Sequence, residues 1–202
     1  MTPPPVATIR DVSATLLDLL KLNLADVADQ IALESPKTAG DKLLTLFLYK
    51  VLESPELKNA ERQVVTRADG SLVERRAPLT LDAYFLLTAH AKPDLLNAHQ
   101  ALSRAMRVFF DNGVLHGSLL RAQGTTRGLT ADSVLRITLN PITMEDMTRI
   151  WSVFPDTPYE ISVTYLVTPV IIDSDREDGA APVVDRTGEF GQQDALIGAG
   201  SV

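Results

Sequence analysis

An α+β fold, a mainly antiparallel or mixed sheet covered by helices, is predicted by three features of the 202-residue sequence. From Leu79 the odd positions Leu79, Leu81, Ala83, Phe85 and Leu87 are apolar while the even ones include Thr80, Asp82, Thr88 and His90, the period of two expected of a half-buried strand. Leu95, Ala98, Leu102, Ala105 and Phe109 then recur at three-to-four spacing, the stripe of an amphipathic helix. Asp69-Gly70 lies between two extended runs, residues 62–67 and 71–76, and marks a protruding hairpin because both residues tolerate the positive φ of a tight turn.

Taken in order, the chain opens with Met1-Thr2-Pro3-Pro4-Pro5, which lacks a basic region ahead of an apolar stretch, so no export signal is expected. Ile9, Val12, Leu16, Leu19 and Leu20 predict a helix over 8–22, with Thr8 as cap and Asp11 three residues on as in a capping box. Residues 30–34 and 42–51 read as two strands separated by the turn-rich stretch 35–41. The hairpin carries Arg62, Arg67, Arg75 and Arg76 but only Val64, Val65, Leu72 and Val73 as apolar residues, so it needs water or a partner. After the strand from Leu79, Pro93 presets the first turn of a helix over 93–112, and Asn112-Gly113 supplies a left-handed cap. Residues 113–132 read as a glycine-punctuated loop, and 134–139 as a strand with Leu135, Ile137 and Leu139 on one face. Thr143 caps a helix over 143–154 whose stripe is Met147, Ile150, Trp151 and Phe154, stopped by Pro155. Residues 159–172 form a last strand, with Ile161, Val163, Tyr165 and Val167 alternating against Ser162, Thr164 and Thr168. The expected core includes Leu81, Phe85, Leu102, Phe109, Ile137, Trp151 and Val163.

At residue 174 the composition changes. Residues 174–202 hold five of the eleven glycines and six acids against two bases. Two units follow: a domain over 1–173 and an acidic, flexible C-terminal arm over 174–202, whose apolar anchors are Val183, Val184, Phe190, Leu196 and Ile197.

Composition excludes several function classes. With 45% apolar and 22% charged residues the chain has material for a core. It has no cysteine, which removes disulfide frameworks, thiolate metal sites and cysteine nucleophiles. A formal charge of −7 disfavours nucleic acid, whose phosphates need a positive field. Apolar runs such as 43–52 fall short of the ~20 residues a membrane helix requires, so no membrane insertion is expected.

Chemistry is hard to find. His90, His99 and His116 lack the spacing that sets two metal ligands on one helical face. Asp173-Ser174-Asp175-Arg176-Glu177-Asp178-Gly179 has the flavour of a calcium loop, but its glycine falls one place late and its twelfth position is Val184. Solvated charge explains it better. The glycines at 113, 117, 124 and 128 are not followed by the Gly-Lys-Ser/Thr of a phosphate loop. Glu145 and Asp146 suit the first turn of a helix, where carboxylates complement the dipole. The residues point to no catalytic site, no metal and no cofactor; Asp82 with His90 is the one pair a small hydrolase could use.

Four blocks, in order, carry a family resemblance: residues 78–89, which include Leu79-Thr80-Leu81-Asp82-Ala83-Tyr84-Phe85; 102–107 with Asp111-Asn112-Gly113-Val114-Leu115; Leu135-Arg136-Ile137-Thr138-Leu139-Asn140-Pro141; and Thr157-Pro158-Tyr159-Glu160-Ile161-Ser162-Val163-Thr164-Tyr165. They are joined by Met147-Thr148-Arg149-Ile150-Trp151-Ser152. Over about residues 8–173 the chain resembles the N-terminal domain of the cap, or tail-terminator, proteins of phage-tail-like contractile injection systems of the antifeeding-prophage and virulence-cassette type. The resemblance implies a structural protein and not an enzyme. It implies a ring, hexameric in the family, that closes the baseplate-distal end of the inner tube and sheath. Its partners would be further copies of itself and the terminal tube and sheath subunits, with assembly in the bacterial cytoplasm as part of a particle that can be released. An assembly chaperone or adaptor for tube and sheath subunits would show the same lack of chemistry. Arg62, Arg67, Arg75 and Arg76 are then candidate inter-subunit or tube contacts, and the arm 174–202 a docking device.

Overall fold

A computed structural model describes residues 9–55, 63–66, 70–75, 77–91, 94–116, 134–172 and 177–179. Helix α1, Ile9–Asn23, buries Val12, Leu16, Leu19 and Leu20 on the stripe that its spacing predicts. Thr8, its expected cap, lies outside the described residues. Two 3-10 turns, Ala25–Gln30, follow, and they shorten the strand expected over 30–34 to β1, Ile31–Ala32. The Arg104 guanidinium donates to both Asp26 carboxylate oxygens at 2.7 and 2.6 Å, which ties these turns to the next helix. Those bonds hold the Asp26 carboxyl below its ordinary pKa.

The main sheet contains β1, β2 (Leu44–Glu53), β5 (Leu79–Ala89), β6 (Val114–His116), β7 (Val134–Leu139) and β8 (Ser162–Ile172), in the order β1-β2-β5-β8-β7-β6. Among the described residues the β1–β2 pair is parallel and the other pairs of this sheet are antiparallel. The hairpin strands β3 (Gln63–Thr66) and β4 (Leu72–Arg75) form a second sheet with β9 (Glu177–Gly179). Gly70 takes φ +84° at the turn, as the Asp-Gly signal requires.

Helix α2, Leu95–Asp111, starts at Asp94, whose side chain accepts from the Leu96 amide; Pro93 lies outside the described residues. The left-handed cap expected at Asn112-Gly113 is absent. Asn112 keeps φ −115° and its side-chain amide donates to the Val108 carbonyl at 2.8 Å, so a side chain satisfies the helix end that a left-handed glycine would have served. The chain then extends directly into β6, where a loop was expected, because Val114–His116 finds ladder partners in Val134–Arg136. Helix α3, Met144–Trp151, is capped as predicted: Thr143 Oγ1 accepts from the Asp146 amide at 3.1 Å.

The largest departure from the sequence reading concerns sheet faces. Leu81, Ala83, Phe85 and Leu87 pack with Tyr165 and Val167 under α1 and α2. The opposite face is also covered, since Leu86 packs with Met147, Trp151 and Phe154 around α3, with Phe47 and Tyr49 of β2 at the margin. Thr80, Thr88 and His90, expected to meet water, are buried, as are Ser162 and Thr164 of β8. Three of these hydroxyls are satisfied internally: Thr88 and Ser162 bond each other at 2.9 Å, and Thr164 donates to the Asn140 carbonyl at 2.5 Å. The alternation was real but reported hydrogen-bonding polarity, not exposure. Of the expected core, Leu81, Phe85, Leu102, Phe109, Ile137 and Trp151 are buried, and Val163 is half-buried against it.

Phe109 is enclosed and meets the Tyr165 ring edge-on at 4.9 Å. Truncation to alanine will cost about 3–5 kcal/mol in urea denaturation. Burial pushes the Tyr165 phenol from 10.0 up to about 12. A raised phenol pKa means that the folded chain holds the proton longer, so its stabilisation is complete below pH 10 and declines as pH rises toward about 12. Denaturation across that window will show the decline in the native chain and a shallower one in Tyr165→Phe.

Candidate assembly surfaces

His90 is the one histidine held in a buried polar cluster. It follows β5 directly, and its main-chain amide donates to the Leu43 carbonyl, which fixes the ring between the starts of β2 and β8. There Nε2 bonds Thr45 Oγ1 at 2.8 Å and Nδ1 meets Glu160 Oε2. The order hydroxyl, imidazole, carboxylate has the form of a nucleophilic triad. However, Thr45 is 0% exposed, so its hydroxyl reaches no substrate. A cavity of ≈ 270 Å³ beside His90, lined by Lys37, Asp156, Thr157 and Glu160, receives no nucleophile from the cluster. The geometry also separates the pair Asp82 and His90. They lie eight residues apart on one extended strand, roughly 26 Å, and Asp82 accepts from Thr168 Oγ1 at 2.5 Å. Among the described residues no three His, Asp or Glu side chains converge as metal ligands, and no helix is long and apolar enough to cross a membrane.

What the cluster does is fasten strands. Glu160 precedes β8, Thr45 belongs to β2, and His90 joins them across β5. Replacing His90 with leucine leaves a largely buried carboxylate and a buried hydroxyl without that partner, so urea denaturation will show a loss of about 1–3 kcal/mol.

Two surfaces could bind another chain. The first is the hairpin. Of its four arginines, Arg62, Arg67 and Arg76 lie outside the described residues, and Arg75 is placed only by its backbone in β4. The hairpin is not isolated: β9 pairs with β4, setting Glu177 opposite Arg75 and Asp178 opposite Glu74. Thus the root of the acidic segment closes one edge of the hairpin from within the same chain, with opposite charges at one register position and like charges at the next. The anchors Val183, Val184, Phe190, Leu196 and Ile197 all lie outside the described residues.

The second surface was not anticipated. Between the C-terminal half of α2 and strand β7 runs an apolar groove of ≈ 570 Å³, lined by Met106, Phe109, Phe110, Ile137, Leu139 and Tyr165, with Arg107 also at its wall. Phe110 is 86% exposed and Leu139 47% exposed, both beside the groove. The signal was present in the sequence. Phe109 belongs to the core stripe of α2, so its neighbour Phe110 must point elsewhere, and it falls three residues after Arg107 on the polar side. An aromatic residue on a polar helix face is the clue that went unused.

No curated protein sequence matches the chain significantly. Among solved structures, the chain resembles the sheath/tube terminator in the extended state of PVC, an extracellular contractile injection system, at 22% identity and TM-score 0.62, covering 95% of this chain and 66% of that one. It also resembles the tube terminating cap of the anti-feeding prophage, at 17% identity and TM-score 0.60, covering 91% of this chain and 62% of that one. At these identities the likeness is one of fold, and this chain spans just under two thirds of the length of each. The sequence profile of the Pvc16 N-terminal domain matches residues 11–186, a span that takes in every described element from the body of α1 to β9, and the chain belongs to that family.

Proposed function

We propose that this protein is a structural cap that forms a ring and closes the baseplate-distal end of the inner tube and sheath of a contractile injection system. The observation that carries the reading is the family match over residues 11–186, together with a fold shared with two tube-terminating caps. Two physical findings support it: the hydroxyl of the triad-like cluster, on Thr45, is fully buried, and an apolar groove beside the exposed Phe110 offers binding surface. The ring is a homohexamer, and its partners are the last tube and sheath subunits. It acts without enzymatic activity and assembles in the cytoplasm before any release of the particle.

Within this reading the hairpin arginines Arg62, Arg67, Arg75 and Arg76 contact a neighbouring subunit or the tube. The arm carrying Val183, Val184, Phe190, Leu196 and Ile197 docks on a neighbouring subunit. An arm of this composition gains little by docking once, and repetition around a ring multiplies the effect.

The mass of the purified protein in solution will be that of six chains, whereas a monomer that retains tube subunits would identify an assembly adaptor instead. Arg75→Glu with Arg76→Glu will weaken ring or tube association, and the defect will vary with ionic strength, as screened charge contacts do. Removing residues 174–202 will leave particles whose sheath end is not held; sheathed tubes of normal length would rule out a docking arm.

A further inference from the structure

We propose that the groove between α2 and β7 receives the C-terminal segment of a second copy of this chain, with Leu196 and Ile197 entering the groove and Asp194 facing Arg107. The inference rests on the ring reading above and supplies the receiving site that reading requires. If each subunit of a ring extends an arm to its neighbour, each must also present a place for the arm to land.

Three observations select this groove and this segment. The groove is apolar and carries an 86% exposed phenylalanine at its side, a large ring left in water in the free chain. Its wall includes Arg107, and the segment 174–202 holds six acids against two bases, so charge is complementary. Among the apolar anchors, Val183 and Val184 have the shortest reach from Gly179, which is placed in β9; four or five residues span at most ~18 Å. Leu196 comes seventeen residues after Gly179, a reach of up to ~60 Å, and with Ile197 it offers an adjacent pair of branched side chains to a groove too large for one.

The groove is separate from the root of the arm, and the ring reading assigns it to a neighbour's arm. The arm leaves from β9 beside β4, and β4 leads into the β5 end at Leu79, whose partner is Ile172. The groove lies level with Tyr165, seven residues back along β8 and so roughly 23 Å away. Donor and acceptor are therefore distinct patches of one subunit, the arrangement of a head-to-tail interface, which closes into a ring when its rotation allows.

Because the chain has no cysteine, Leu139→Cys and Ile197→Cys each introduce a single thiol. The two full-length variants, carrying affinity tags of different mass, are mixed at the concentration where rings form and oxidised mildly, and cross-linked peptides are identified by mass. The expected result is a disulfide between Cys of one variant and Cys of the other, reduced about tenfold when the groove copy also carries Phe110→Asp, the scale of losing a central aromatic anchor. Phe110 is exposed, so this change spares the fold. Rings of normal mass without the cross-link would overturn the inference and leave the ring reading standing. So would a chain carrying both thiols that links to itself equally well at high dilution, which would place the arm in its own groove. A protein monomeric at every concentration and without the cross-link would overturn both.

Discussion

The pairing of β5 with β8 is the constraint from which the rest of the molecule follows. These two eleven-residue strands lie side by side at the centre of the main sheet, flanked by β2 and β7. A central pair presents two faces, and each must be covered. Helices α1 and α2 cover one with Val12, Leu16, Leu20, Leu102 and Phe109; the shorter α3, followed by Phe154, covers part of the other with Met147 and Trp151. The polar residues that remain on the strands are buried or half-buried and find partners inside. Thr88 with Ser162, and His90 with Thr45 and Glu160, do this at one end of the pair, and Thr168 with Asp82 toward the other.

The same constraint explains why these residues form a cluster with the outline of a triad. Burying a hydroxyl or an imidazole between strands demands hydrogen bonds. Threonine, histidine and glutamate in a row satisfy that demand while joining β2, β5 and the approach to β8. Chemistry would need an opening at Thr45, and there is none.

Much of the architecture was legible in the sequence because it rests on local rules. The stripes of α1 and α2, the Thr143 cap and the Gly70 turn each depend on residues within a few positions of one another. The misreadings are long-range. Nothing near Leu86 indicates that α3, more than fifty residues later, folds over that face, and nothing within Val114–His116 shows that Val134–Arg136 will pair with it. Likewise the acidic run at 173–179 gave no sign that Glu177–Gly179 would become a third strand beside the hairpin. The groove was half legible: Phe110 stood out on its helix, but Leu139 and Tyr165 reach it only through the sheet.

A cap is defined by where it sits, and position can be measured directly. Intact particles carrying this protein with a small electron-dense label, imaged in the extended state, test the central claim. The account predicts label at one end of each particle only, the end opposite the baseplate, closing the tube. Label along the sheath, at the baseplate, or on free tube subunits but not on finished particles would contradict it.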